Sequence, residues 1–346
     1  TAYAGLGLRG GGPAKAAVLA SGMPGMVSGS SIANTVTTGT FTIPLMKSVG
    51  YPDYKAGAVE VACSTNGQLM PPIMGAAAFI IAEYCNLEYI QVIKAAFVPA
   101  VVSYIALMYI THLEASKLGL RGLTKEELPR FWPTFIRGIH FLIPLLFLIF
   151  ELVVMRHSPS LAAFRAIVSL LVLIPLQNLI RAYIRKEPWL ETLKKSGLQI
   201  WNALVAGGRN MMGIGVAVAA AGIIVGVVTL GLGGIITEVI EVISGGHFFL
   251  ILIITAIASL ILGMGLPTTA NYIEMASLTA PVIVILGAKN GVMFPLVAAH
   301  LFVFFFGILA DDTPPVGLAA FPAAAIAHSN PIRTGVQGFT YDIRTA

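Results

Sequence analysis

The stretch SIANTVTTGTFTIP at residues 31–44 returns 237 residues later as TTANYIEMASLTAP at residues 268–281. The two stretches share an Ala-Asn pair, a threonine and a proline in the same register. A second matching pair follows in the same order, PPIMGAAAF at residues 71–79 and PPVGLAAF at residues 314–321, with one residue dropped. A spacing this long lies outside the range of solenoid repeats, so the pattern indicates a duplicated half.

The composition indicates a membrane protein with several spans. Hydrophobic residues make up 57% of the 346-residue chain and charged residues 11%, whereas a soluble domain carries roughly 25% charged residues. The mean hydropathy is +0.86. Several apolar segments are about 20 residues long and could cross a bilayer core. The apolar segments lie at 13–27, 34–46, 54–85, 90–112, 137–155, 161–183, 205–230, 247–263, 271–287 and 292–327.

Two basic stretches, residues 117–137 and 181–209, interrupt the apolar segments. Two segments lie between these stretches, so both stretches face the same side of the membrane. The positive-inside rule makes that side the cytoplasm. Cytoplasmic loops therefore explain the net charge of +5, and we expect no nucleic-acid partner.

The ends and the cysteines of the chain carry less information. The sequence opens with Thr1 and not with methionine, and we expect it to be a fragment that lacks material at both ends. Cys63 and Cys85 have neither the spacing of metal ligands nor that of a disulfide framework, which predicts packing residues. His300 lies on an apolar face and is predicted to be a core residue.

Each Ala-Asn motif is a polar break between two apolar arms. About 10 helical residues reach the midplane of a ~30 Å hydrocarbon core. Short arms on both sides of the break therefore predict re-entrant helical hairpins over residues 13–46 and 247–287. Irregular backbone at such a depth is tolerated only where protein or water satisfies it.

Residues 54–85 and 292–327 are each too long for one straight span and too short for two. The first range contains Ser64-Thr65-Asn66-Gly67 and then Pro71-Pro72, and the second contains Asp311-Asp312-Thr313-Pro314-Pro315. Proline removes a hydrogen-bond donor and clashes with the preceding turn, so a helix stops there. Both ranges are therefore predicted to be discontinuous helices.

The number of spans gives the relation between the two halves. Five spans separate the predicted hairpins, and an odd number means that the hairpins enter from opposite faces. The predicted fold is thus an all-α polytopic membrane protein with an inverted-topology repeat. We divide it into first-repeat transport elements (1–113), loop, scaffold and arm helices (114–246) and second-repeat transport elements (247–346).

Inverted repeats with discontinuous helices place substrate and coupling ions at the repeat interface. Exposed carbonyls and neutral side-chain oxygens suit a hard cation such as Na⁺, and half-helix N-termini suit a carboxylate. The alternative is that the hydroxyl groups only bond to backbone or allow close helix packing. The candidate ion- and substrate-binding residues are Ser28, Ser30, Ser31, Asn34, Thr35, Ser64, Thr65, Asn66, Thr268, Thr269, Asn271, Asp311, Asp312 and Thr313. Among them, Ser31, Asn34, Thr268 and Asn271 are the predicted Na⁺ ligands.

Acidic residues inside membrane segments indicate function by default. Asp311 and Asp312 follow an apolar run and precede a double proline, so the pair is predicted to bind the coupling ion or a substrate group. The alternative is that the pair sits in a solvated cavity or caps the following half-helix. Glu60, Glu83 and Glu274 lie nearer to segment ends and are predicted to reach the interface or to line vestibules.

Four stretches together resemble a known family of transporters. They are SGSSIANTVTTGTFTIPLMKSVGY (28–51), STNGQLMPPIMGAAAFIIAEY (64–84), GMGLPTTANYIEMASLTAPVI (263–283) and HLFVFFFGILADDTPPVGLAAF (300–321). They are similar to the large membrane subunit of tripartite ATP-independent periplasmic (TRAP) transporters, and most of all to the fused permeases that work with TAXI-type binding proteins.

The resemblance implies an elevator-type secondary transporter in the cytoplasmic (inner) membrane of a bacterium or archaeon. It implies Na⁺ as coupling ion, with no other cofactor, and import of organic acids delivered by an extracytoplasmic TAXI-type solute-binding protein. Small-subunit-like helices would be fused to the chain in its missing N-terminal part.

Three alternatives remain open at this point. A Na⁺/carboxylate symporter that needs no binding protein shares the inverted hairpin arrangement. An intramembrane enzyme is disfavoured because the sequence has no H-E-x-x-H motif and no G-x-S-x-G motif with a plausible partner, so we expect no enzymatic activity. A structural assembly subunit would have no need of duplicated breaks with ion-ligand residues.

Overall fold

A computed structural model describes residues 2–7, 11–120, 122–123, 128, 130–139, 142–227, 230 and 233–345. Regular secondary structure within these residues is helical, which confirms the predicted all-α class. The chain forms two compact units, one of residues 1–135 and 221–346 and the other of residues 136–220. The division at 113/114 and 246/247 stays a prediction.

The first unit contains most of the helices. They are α1 (Ala2–Leu6), α2 (Gly12–Ser28), α3 (Ser31–Ser48), α4 (Asp53–Gly67), α5 (Ala77–Tyr84), α6 (Tyr89–Lys117), α11 (Gly233–Ser244), α12 (Phe248–Gly263), α13 (Thr268–Leu278), α14 (Ala280–Lys289), α15 (Leu296–Ile308), α16 (Ala320–Ala327) and α17 (Pro331–Asp342). The second unit contains α8 (Leu142–Ile149), which continues as a π-helical turn over Phe150–Val154, and α9 (Pro159–Arg185). Helices α7 (Phe131–Gly138) and α10 (Trp189–Val227) begin in one unit and end in the other.

Several helices are apolar enough to lie in a membrane. By length and composition, Tyr89–Lys117, Ser160–Arg185 and Thr268–Lys289 could each cross a bilayer. Leu142–Val154, Phe248–Gly263 and Leu296–Asp311 are shorter apolar helices. Together these elements are consistent with a multi-pass membrane protein.

Helices α2 and α3 form an antiparallel pair joined by only two residues, Gly29 and Ser30. Gly29 ends α2 in the left-handed region at φ +60°, and the Ser30 hydroxyl caps α3 by accepting the Ala33 N–H at 3.3 Å. The hydroxyls of Ser21 and Thr38, at similar distances from the turn, lie 2.8 Å apart. The turn precedes the Ala-Asn motif, so the asparagine lies in the first turn of α3 and not in the break itself.

The arms of both pairs are longer than the about 10 residues predicted. Helices α2 and α3 have 17 and 18 residues, or about 26 and 27 Å at 1.5 Å per residue. In the second half, α12 has 16 residues and the segment Thr268–Lys289 has 22, with a change of helix at Thr279. The first pair covers the predicted hairpin range and the second begins and ends within two residues of it, but its depth in a membrane stays a prediction.

Both long ranges with double prolines are interrupted helices, as predicted. Helix α4 ends at Gly67 and α5 begins at Ala77, with Pro71-Pro72 between them. Helix α15 passes through a 3-10 turn, Leu309–Asp311, and α16 begins only at Ala320. The peptide bond between the prolines is cis in both breaks. The breaks leave backbone groups and short polar side chains beside the hairpin turns.

Helix α4 lies at the centre of the first unit, and it contacts α2, α3, α16 and α17. Every residue of α4 from Ala56 to Gly67 is buried. Glycines permit the closest approaches: a Cβ added at Gly29 would lie 2.7 Å from Cα of Gly75, and one at Gly25 would lie 2.9 Å from Cα of Gly67. Elements of both halves therefore share one core around the first interrupted helix.

Candidate functional site

Asp311 joins the starts of the two Ala-Asn helices. Ser31, the first residue of α3, donates its hydroxyl to Asp311 Oδ2 at 2.6 Å, and Thr268, the first residue of α13, donates to the same oxygen at 3.0 Å. All three side chains are buried, with Asp311 2% exposed. The other carboxylate oxygen, Oδ1, has no hydrogen-bond partner among the described residues. One aspartate thus connects three elements drawn from both halves of the repeat.

Gln68 is the counterpart of Asp311 in the first half, because each residue stands three positions before a double proline. In the amide orientation that satisfies both of its ends, Gln68 Nε2 donates to Gly29 O at 2.9 Å and to Thr268 Oγ1 at 2.7 Å, and Oε1 accepts from Ser31 N at 3.2 Å. Gln68 is fully buried. Gln68 is not among the residues predicted from the sequence, although its position relative to the repeated prolines could have indicated it.

A second polar cluster surrounds Asp312. Thr65 donates to Asp312 Oδ1 at 2.8 Å, and the Asp342 carboxyl lies near the Asp312 carboxyl. Asn66 Nδ2 donates to Asp342 Oδ1 at 2.5 Å, and Ser103 donates to Asn66 Oδ1 at 2.5 Å. Asp342 lies beyond the last apolar segment, and only packing of α17 against α4 brings it here.

Asn34 and Asn271, which are equivalent in the repeat, have the same unusual feature. Asn34 Nδ2 donates to Ser21 O at 2.9 Å and to Ser64 Oγ at 3.1 Å. Asn271 Nδ2 donates to Gly307 O at 2.5 Å. Both side chains are 1% exposed, and neither Oδ1 atom meets a donor in the part of the chain that the structure describes. A buried acceptor normally has a partner, so these two oxygens are available to a ligand.

The remaining predicted residues divide between the site and local roles. Thr35 is fully buried, and its hydroxyl is without a partner in the described ranges. The Thr313 hydroxyl donates to Leu309 O at 2.7 Å, and Ser30 is the cap described above. Ser28 is exposed and Thr269 is half-buried. For Ser30 and Thr313 the geometry favours the backbone-bonding alternative.

The structure contradicts the predicted location of Glu60. It was expected near the interface, but its side chain is fully buried because α4 is covered on all sides. Four hydroxyls donate to its carboxylate: Ser21 to Oε1 at 2.6 Å, Thr42 to Oε2 at 2.5 Å, Ser64 to Oε1 at 3.4 Å, and Thr38 to Oε1. Position along an apolar segment predicted the surroundings of this residue wrongly, since a discontinuous helix can run through the core from its second turn onward.

Two predicted core assignments are confirmed. His300 is buried, and its Nδ1 lies 2.8 Å from the Tyr272 hydroxyl. Cys63 is buried and Cys85 partly buried, and both are free thiols. No group of three or more His, Cys, Asp or Glu side chains able to hold a metal ion occurs within the described ranges. The oxygen sites around the hairpin turns are therefore the candidates for binding.

Interrupted helices that expose polar groups inside an apolar bundle are typical of the binding sites of membrane transporters. The family of the tripartite ATP-independent periplasmic transporter, DctM component, matches residues 1–342. The chain belongs to this family, which confirms the resemblance to the large membrane subunit.

One curated relative, also a TRAP transporter permease, matches part of the chain. The 2,3-diketo-L-gulonate TRAP transporter large permease protein of Escherichia coli (strain K12) is 25% identical over 134 residues. The match covers 39% of this chain and 31% of the relative's length.

Proposed function

We propose that the chain forms the translocation pathway of a Na⁺-coupled secondary transporter that imports small organic acids. An extracytoplasmic solute-binding protein delivers the acid, and the permease moves it across the cytoplasmic membrane of a bacterium or archaeon by an elevator mechanism. The observation that carries the proposal is the pair of unpaired, buried oxygens on Asn34 and Asn271 at equivalent positions of the repeat.

Na⁺ fits the chemistry of these oxygens. A hard cation takes neutral and anionic oxygen ligands, and the site offers amide, hydroxyl and carboxylate oxygens without soft ligands. Asn34 Oδ1 and Asn271 Oδ1 would each hold one ion in their half of the repeat. Ser31 and Thr268 stand at the starts of the same two helices and supply hydroxyl oxygens, and the free Oδ1 of Asp311 supplies negative charge.

An organic carboxylate fits the helix starts next to these ions. Helices α3 and α13 both begin at the cluster around Asp311, and the N-terminus of a helix offers N–H groups and partial positive charge to an anion. Bound Na⁺ would add positive charge beside the same N-termini. The acid and the cations would therefore stabilise each other at one place, which is the physical basis of symport.

The elevator mechanism is supported by the way the two halves share one core. Helix α4 of the first half packs against α16 and α17 of the second half, and Asp311 and Gln68 each contact both hairpin turns. A body held together in this way would carry its site across the membrane as a unit. Delivery by a binding protein rests on family membership. The TAXI type and the fused small-subunit-like helices remain parts of the proposal.

The test is uptake into proteoliposomes that contain the complete transporter. A panel of labelled dicarboxylates and sugar acids would be offered with and without the binding protein, under an inward Na⁺ gradient or with K⁺ in its place. Uptake that needs both the binding protein and Na⁺ supports the proposal. Uptake with Na⁺ but without the binding protein would favour a direct Na⁺/carboxylate symporter. Uptake indifferent to Na⁺ would overturn the coupling.

A further inference from the structure

Glu60 sits in a cage of hydroxyl groups that belongs to three helices. Ser21 comes from α2, Thr38 and Thr42 come from α3, and Ser64 lies one turn further along α4 itself. The cage is fully buried at Glu60, Ser21 and Ser64. Its members hold both arms of the first hairpin against the first interrupted helix, about one turn away from the unpaired oxygen of Asn34.

The carboxylate sets the direction of the hydrogen bonds around it. An ionised carboxylate only accepts, whereas a hydroxyl can donate one proton and still accept from another group. Ser64 gives its proton to Glu60 Oε1 at 3.4 Å, so its oxygen is left to accept from Asn34 Nδ2 at 3.1 Å. Glu60 thus makes Ser64 an acceptor towards Asn34.

This direction contributes to the orientation of the Asn34 amide. Its Nδ2 is held by two acceptors, Ser64 Oγ and Ser21 O, and Oδ1 therefore points away from both. If Ser64 donated towards Asn34 instead, Nδ2 would keep the Ser21 carbonyl but lose its second acceptor, and a turned amide that presents Nδ2, which repels a cation, in place of Oδ1 would become less unfavourable. Glu60, which does not touch Asn34, thus adds through Ser64 to the orientation that the Ser21 carbonyl already favours.

In the second half of the repeat, a backbone carbonyl orients the equivalent amide, that of Asn271. Asn271 Nδ2 is held directly by the Gly307 carbonyl at 2.5 Å, a backbone acceptor that cannot change its role. Gly263 and Gly307 lie against the same amide and leave it room, because a Cβ at Gly263 would clash with Asn271. The two asparagines are equivalent by sequence and each Nδ2 donates to a backbone carbonyl, but among the described contacts Asn34 Nδ2 also donates to a hydroxyl that is itself bonded to a carboxylate.

We propose that Glu60 is a positioning residue for the first-half cation site: through Ser64 it holds Asn34 Oδ1 ready to bind the ion, while the second-half site is independent of it. The inference rests on the proposed role of Asn34 in Na⁺ binding. Residues that orient a metal ligand typically change affinity by about 10- to 100-fold when mutated.

The test is Glu60→Gln in the complete transporter, reconstituted with its binding protein, with uptake measured against Na⁺ concentration. Glutamine keeps the shape but adds a donor amide, so Ser64 loses its fixed acceptor. The Na⁺ concentration for half-maximal uptake should rise about 10-fold or more, and the maximal rate at saturating Na⁺ should fall less. Thr42→Val is the matched control, because it removes a donor to Oε2 and leaves the Ser64–Asn34 link intact.

A double-mutant comparison separates positioning from general damage. If Glu60 acts through Asn34, Glu60→Gln should add little to the effect of Asn34→Ala, and it should add its full effect to that of Asn271→Ala. Ser64→Ala, which breaks the same link and leaves the Glu60 carboxylate with its other three hydroxyl donors, should give a similar shift and serves if Glu60→Gln does not fold.

The outcomes distinguish the inference from the proposed function. An unchanged Na⁺ midpoint in both Glu60→Gln and Ser64→Ala, with the wild type still Na⁺-dependent, overturns the positioning role alone. Full additivity of Glu60→Gln with Asn34→Ala also overturns it. A wild-type transporter that takes up its acid equally well without Na⁺ would remove both the function and the inference.

Discussion

Replacing Asp311 by asparagine separates a binding role of this carboxylate from a structural one. Asparagine keeps the shape of the side chain and an acceptor oxygen, which could still receive the hydroxyls of Ser31 and Thr268. What it removes is the negative charge at the free oxygen Oδ1. We expect Asp311→Asn to lose Na⁺-driven uptake while the protein remains folded.

The expected effect on stability is small because two terms oppose each other. A hydrogen bond to a charged group contributes about 1.5–3 kcal/mol and a neutral one about 0.5–1.5 kcal/mol, so two weakened bonds cost about 2–3 kcal/mol. A carboxylate at the centre of a membrane helix costs about 3 kcal/mol on insertion scales, and the substitution removes that cost. The free energy of unfolding should therefore change by no more than about 1 kcal/mol.

The expected loss of Na⁺ affinity is large because no compensating gain offsets the lost attraction between the carboxylate and the ion. Two unit charges 4 Å apart attract by about 4 kcal/mol at an effective dielectric constant near 20, which corresponds to roughly a thousandfold in affinity. The assay is acid uptake in proteoliposomes against Na⁺ concentration, with thermal unfolding in detergent measured on the same preparation. Asp53→Asn is the matched control, because Asp53 is half-exposed and forms an ion pair with Lys47 at 3.0 Å, and surface pairs contribute little.

Near-normal uptake with an unchanged Na⁺ midpoint in Asp311→Asn would refute this reasoning. The carboxylate would then serve only to hold the two helix starts together, a role that asparagine can fill since the two residues are comparable acceptors at helix N-termini. Loss of uptake together with a large drop in unfolding temperature would also count against a specific ion-binding role.

Two further predictions concern the hairpin turns. Asn34→Ala and Asn271→Ala should each raise the Na⁺ concentration for half-maximal uptake, because each removes one unpaired buried oxygen, and an unchanged midpoint in both would exclude them as ligands. Gly29→Ala should impair folding or uptake, since Gly29 has φ +60° and its Cβ would lie 2.7 Å from Cα of Gly75. Gly119 has a similar φ of +63° but open space around it, so Gly119→Ala is the control for the backbone conformation alone. Equal effects of the two substitutions on thermal unfolding and uptake would refute the packing argument.

The sequence predicted those parts of the site that are repeated or interrupt an apolar run. Asn34 and Asn271 were found by their equivalence, and Asp311 was found because a charge is costly in a membrane segment. The interrupted helices followed from the double prolines, whose effect on a helix is local. The charge and the prolines are signals from neighbouring residues, and the equivalence needs only a comparison of two stretches of sequence, so no knowledge of the packing was needed.

Glu60 and Asp342 could not be found in this way. Glu60 looked like a residue near the end of a span, and only the packing of α4 against its neighbouring helices α2, α3, α6, α16 and α17 buries it. Asp342 follows the last apolar segment and reaches the site through the contact of α17 with α4. Arm lengths were also underestimated, because the turns lie before the Ala-Asn motifs and not within them. Contacts between distant segments decide all of these features.

The most direct test of the central claim is equilibrium binding of sodium-22 to the purified complete transporter. We expect saturable binding with one ion in each half of the repeat, and loss of one ion in Asn34→Ala and of the other in Asn271→Ala. Saturable binding that is the same in the wild type and in both variants, or no saturable binding at all, would contradict it.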